Sequence, residues 1–65
     1  MECKSVQYFD SNGNDQEYVV GIGGVTSIKR FENSPEPYCT KFYVEVYKDN
    51  KLFCELHTFK SVYFL

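Results

Sequence analysis

Between Thr40 and His57, side chains of two kinds alternate with a strict period of two: Thr40, Phe42, Val44 and Val46 with Lys41, Tyr43, Glu45 and Tyr47, then Leu52, Cys54 and Leu56 with Phe53, Glu55 and His57. Successive side chains of an extended chain point to opposite faces, so this pattern demands two strands, each with one buried face. A three-residue loop, Lys48-Asp49-Asn50, with Asn50 in the left-handed region, pairs Val46 with Leu52, Val44 with Cys54 and Phe42 with Leu56 on the core side. A two-residue Asp49-Asn50 loop would set Val44 opposite Glu55 and mix the faces, so the longer loop is expected.

Residue types agree with the pattern. Seven Val, two Ile, six Tyr, six Phe and three Thr stand against three Leu, one Met and no Ala, which favours pleated sheet over helix. Upstream, Ser5–Phe9 and Gln16–Val20 flank Asp10-Ser11-Asn12-Gly13-Asn14-Asp15, a hairpin with an acidic, mobile tip. Gly21, Gly23 and Gly24 break the chain, and Val25–Phe31 forms a third strand ended by a segment containing Pro35 and Pro37. Ser61–Leu65 supplies a last short strand. The fold class is all-β: a small antiparallel meander of five to six strands in one domain, residues 1–65, curled as a sheet, sandwich or open barrel.

Burial of apolar surface in a chain of 65 residues contributes on the order of 100 kcal/mol, and ordering the chain costs about the same. Three cysteines, Cys3, Cys39 and Cys54, are too few for a disulfide framework and odd in number, so self-association is the expected remedy. The chain has no run of about 18 apolar residues, and Met1-Glu2-Cys3-Lys4-Ser5 lacks the apolar core of a secretory signal. A cytoplasmic protein without a membrane partner is expected.

Several chemistries fail on their requirements. Gly21-Ile22-Gly23-Gly24 runs into the strand-like Val25-Thr26-Ser27-Ile28, without the helix N-terminus or Lys-Ser/Thr ending of a phosphate loop. Cys54 and His57, three apart on a strand, point to opposite faces, so neither a metal site nor a Cys–His pair is expected, and no cofactor is. The single histidine then belongs to a polar face with Lys41 opposite, Glu55 beside and Tyr43 close. A sheet of this size offers no cleft of the several hundred Å³ typical of active sites, and the chain reads as a non-enzyme.

Two surfaces carry the functional expectation. Tyr43, Tyr47, Phe53 and Phe59, with Lys41 and His57, form a candidate interaction face on the non-core side of the hairpin. Val62, Tyr63, Phe64 and Leu65 either close the chain's own core or form an edge contact for another copy or a partner. A net charge of −2, one arginine, and Glu45 and Glu55 in the middle of the face disfavour nucleic acid.

The stretch Tyr43-Val44-Glu45-Val46-Tyr47-Lys48-Asp49-Asn50-Lys51-Leu52-Phe53, in a chain of short hairpins with an acidic tip, resembles the small all-β accessory proteins of bacteriophages and mobile elements. That resemblance implies action by binding, as inhibitors of a host defence enzyme or as traps for a nucleotide signal, and carries no active residue. The expected function is a homo-oligomeric binding protein that acts on a partner protein. The alternatives are a small-ligand or nucleotide-sequestering oligomer, with Tyr43, Tyr47, Lys41, Arg30 and His57 around an anion, and a single-stranded nucleic-acid module.

Overall fold

The β-branched and aromatic segments form six strands: β1 (Glu2–Phe9), β2 (Asp15–Val19), β3 (Val25–Glu36), β4 (Cys39–Lys48), β5 (Lys51–Leu56) and β6 (Ser61–Phe64). This computed structural model describes residues 1–36 and 39–65, with side chains described outside 33–40. All pairings are antiparallel, and they join into one sheet that curls into an open half-barrel, with no helix among the described residues.

β1 organises the sheet. Its residues Ser5, Val6 and Gln7 pair with both β2 and β6, and Cys3 pairs with both Ile28 of β3 and Phe64 of β6. A strand has two edges, so β2 and β3 share one edge of β1 and β6 takes the other. The order β2-β1-β3-β4-β5 follows, with β1 rather than β2 beside β3. The reversal from β2 into β3 runs through Gly21, Gly23 and Gly24 at φ of 92°, 64° and 82°, a conformation that a side chain would strain. As expected of a strand-to-strand turn, backbone bonds close it: Ile22 N–H donates to Val19 C=O (3.1 Å) and Gly21 N–H to Val25 C=O (2.9 Å).

The β4–β5 turn corrects the expected register. Asp49 and Asn50 have φ of 53° and 65°, and Lys48 pairs with Lys51, so the loop has two residues, not three. Mixing of the faces is avoided by a bulge. Tyr47 pairs with Leu52, but Val46 pairs with Cys54 and Val44 with Leu56, leaving Phe53 as the extra residue. Leu52 therefore stands beside Tyr47 on the outer face, half exposed, instead of entering the core.

β3 also runs further than the sequence implies, to Glu36 rather than Phe31. Pro35 falls where the β3–β4 register shifts between Asn33 and Glu36, the kind of irregularity that tolerates a residue without an N–H. Pro37 lies outside the described residues.

The inner face carries the core: Cys3, Val6, Val25, Ile28, Val44 and Val46, with Tyr18, Val20, Cys54, Leu56, Phe59 and Val62 packed against it. Each fully buried aliphatic side chain contributes about 1.5–3 kcal/mol. At the first hairpin, the tip expected to be mobile is knitted by Asp10, whose carboxylate accepts from Asn12 N–H (2.9 Å) and Asn14 N–H (3.0 Å).

Candidate functional site

The outer face of β3, β4 and β5 is ordered by register into three rows. Phe31 pairs with Tyr43, and the Tyr43 ring stacks on His57, which makes an aromatic row across the sheet. The next row is charged, with Lys29 opposite Glu45 and Glu45 opposite Glu55. In the third, Ser27 stands opposite Tyr47 and Tyr47 opposite Leu52.

Ring centroids in the aromatic row lie 5.3 Å apart for Phe31–Tyr43 and 5.4 Å for Tyr43–His57, with interplanar angles of 21° and 18°. Such offset stacks contribute about 0.5–1.5 kcal/mol beyond burial. Two carboxylates directly opposed across strands repel, and each is met by a neighbour. Tyr47 donates its hydroxyl to Glu45 Oε1 (2.9 Å), and His57 Nε2 lies 3.1 Å from Glu55 Oε2. The bond to Glu45 pushes the Tyr47 phenol above its ordinary pKa. Lys29 Nζ sits over the Tyr47 ring at 5.3 Å, so the third row is tied to the second.

Of the residues the sequence assigns to this face, Tyr43, Tyr47 and His57 come together, with Lys41 exposed at the end of the aromatic side. His57 stacks on Tyr43 instead of standing opposite Lys41. Two residues do not belong. Phe53, turned by the bulge, meets Tyr18 edge to face at 6.1 Å and lies under Lys48 Nζ at 4.1 Å, on the inner side. Phe59, in the β5–β6 link, packs against the core. Phe31, Lys29 and Leu52 complete the face, and only the β3–β4–β5 register reveals them.

The inner side has its own aromatic group at the mouth between β2 and β5, where Tyr8 and Tyr18 stack at 5.1 Å. The Tyr8 phenol stacked beside it, and then burial, push the Tyr18 phenol up. Arg30 also lies on the inner side, between Phe42 and Phe64, and so cannot join Tyr43, Tyr47, Lys41 and His57 around one anion.

The last strand divides its side chains. Val62 pairs with Val6 and packs on the core, while Tyr63 and Leu65 are 55% and 79% exposed. Among the described residues, β5 and β6 each pair along one edge only. A groove of about 420 Å³ does exist, contrary to the size argument, lined by Gln7, Asp15, Gln16, Glu17 and Lys60. Its polar groups bond to one another: Gln7 Nε2 donates to Glu17 (3.1 Å) and Ser61 Oγ to Gln7 Oε1 (3.0 Å).

Cys54 faces inward and His57 outward, so they make no catalytic pair, and the Cys39 side chain lies outside the described residues. No group of His, Cys, Asp and Glu side chains with metal-binding geometry occurs among the described residues. No family model, curated protein or solved structure matches the chain, and the outer face of β3–β5 is the site that its own geometry supports.

Proposed function

We propose that the chain is a non-enzymatic binding protein that works through protein–protein contact on the outer face of β3–β5, its first partner being a second copy of itself. The observation that carries this reading is the outward row Phe31–Tyr43–His57 beside the charged row Lys29–Glu45–Glu55. Aromatic rings in ranks are what partner surfaces cover, and the charges beside them set orientation.

The charged row is self-complementary under a two-fold axis running along β4. That operation lays β3 of one copy over β5 of the other, so Lys29 meets Glu55 twice and the aromatic rows stack on each other. Glu45 then faces its own copy, with its carboxylate already bonded by the Tyr47 hydroxyl. Glu45 and Glu55 in mid-face weigh against nucleic acid, whose affinity rests on phosphate contacts. Action on a further protein, as the resemblance to phage accessory proteins implies, would use whatever part of the face assembly leaves open.

The test is absolute mass by light scattering over about a hundredfold range of concentration, with mass action linking assembly to dilution. The wild type is expected well above 7.6 kDa, Lys29→Glu near it, and Lys29→Glu with Glu55→Lys restored to the wild-type mass. A wild-type mass of one chain at every concentration overturns self-association. Failure of the charge swap to rescue overturns the proposed axis.

A further inference from the structure

The chain's single arginine stands away from the face just described, on the inner side of β3. Arg30 pairs in register with Val44, so its side chain leaves β3 on the side of the core. There the guanidinium lies 4.4 Å from the centroid of Phe42 and 5.0 Å from that of Phe64, held by rings from β4 and β6.

A guanidinium flanked by two rings is partly shielded from water by them and keeps N–H donors free for an anion. Among the described residues no carboxylate lies within ion-pair distance of it, the two ion pairs being His57–Glu55 and Lys60–Asp15. Arg30 itself is only half-buried, and Phe42 and Phe64 beside it are 37% and 44% exposed, so solvent reaches this part of the inner face. A fixed, half-buried cation with in-plane donors is complementary to a planar or tetrahedral oxyanion, which accepts two parallel N–H bonds.

We propose that Arg30, walled by Phe42 and Phe64, is an oxyanion-binding site for a carboxylate or a phosphate group. The rings position the guanidinium and partly shield it from water, and its N–H donors hold the anion. Lysine cannot replace it, because an ammonium has neither the stacking plane nor the paired donors. The site is independent of the outer face and does not rest on self-association.

With one arginine in the chain, its Nε–Hε group gives a single, assignable NMR signal. Inorganic phosphate, acetate and chloride are titrated in turn into the full chain at equal ionic strength. A saturable shift of that signal with phosphate or acetate, and none with chloride, supports the site. The anion that saturates at lower concentration identifies whether the natural group is a phosphate or a carboxylate. Arg30→Lys is expected to weaken binding of that anion at least about tenfold, read by the backbone amides of residues 30 and 42. Phe64→Leu keeps the charge, removes one wall and is expected to weaken it less, so it reports the rings should Arg30→Lys fail to fold. No shift with either oxyanion, or an equal shift with chloride, overturns the proposal.

Discussion

Tyr43 and His57 stack with centroids 5.4 Å apart because β5 carries one residue more than β4 across their pairing. Continued from the Tyr47–Leu52 pair without the bulge, the ladder would bring Leu56 opposite Tyr43 and turn His57 to the inner side. The extra residue at Phe53 corrects that parity: Cys54 and Leu56 face the core, and Glu55 and His57 complete the outer rows. The core and the candidate site thus depend on the same local irregularity.

The two-residue turn that makes this bulge necessary is open to improvement. Asp49 and Asn50 both sit in the left-handed region, where glycine at the second position is preferred. Asn50→Gly keeps the N–H that donates to Thr26 Oγ1 (3.0 Å), and it should stabilise the protein by about 0.5 kcal/mol, raising Tm by about 3 °C. Asn50→Val should lower Tm by more than that. Equal melting curves for the two variants would contradict the turn geometry.

The alternation from Thr40 to His57 made the hairpin, its inner face apart from Leu52, and the outer residues Tyr43, Glu45, Tyr47, Glu55 and His57 legible, because period two maps directly onto faces. The bulge was not legible, since Leu52 and Phe53 are both large and apolar and either one reads as a core residue. Arg30 was misplaced for a related reason. Val25 and Ile28 are both buried across a register shift, so parity along Val25–Phe31 does not say which side Arg30 takes. The position of β3 beside β1 depends on where the glycine turn aims the chain, which composition does not encode.

Asp10 predicts an acid limb of stability. Its carboxyl is held below the ordinary aspartate pKa by Asn14 N–H first, and by the Gln16 side chain and Asn12 N–H, against a smaller opposing effect of desolvation. A depressed folded pKa gives stability that is present above the unfolded value of about 3.9 and is lost as pH falls through the folded value. Asp10→Asn should therefore lower Tm near neutral pH and flatten its fall below about pH 4. Parallel Tm–pH curves for the two proteins would remove Asp10 from the account.

The cysteines should separate by reactivity. Cys3 has no exposed surface, and burial pushes its thiol up, with the N-terminal ammonium and Arg30 opposing in part. Cys54 is only half-buried. In a Cys39→Ser variant at pH about 8, a thiol reagent should modify Cys54 first, while Cys3 waits for unfolding. A rate for Cys3 independent of added urea, or equal to that of Cys54, would mean that β1 does not seal the core as described.

Ring deletions on the two sides of the sheet should give opposite readings. Tyr43→Ser removes the middle ring of the outer row, which touches both Phe31 and His57, and leaves the inner face intact. Phe53→Ser removes a ring 53% exposed on the inner side, next to Tyr18 and Lys48, and leaves the outer rows intact. Tyr43→Ser should therefore bring the solution mass to that of one chain and lower Tm at a given protein concentration by the stabilisation that association supplied, leaving a Tm that no longer depends on concentration. Phe53→Ser should lose about 1–2 kcal/mol of stability and keep the wild-type mass. Were Phe53→Ser to dissociate the protein while Tyr43→Ser did not, the contact surface would be the mouth between β2 and β5, and the outer rows would be an ordinary solvated face.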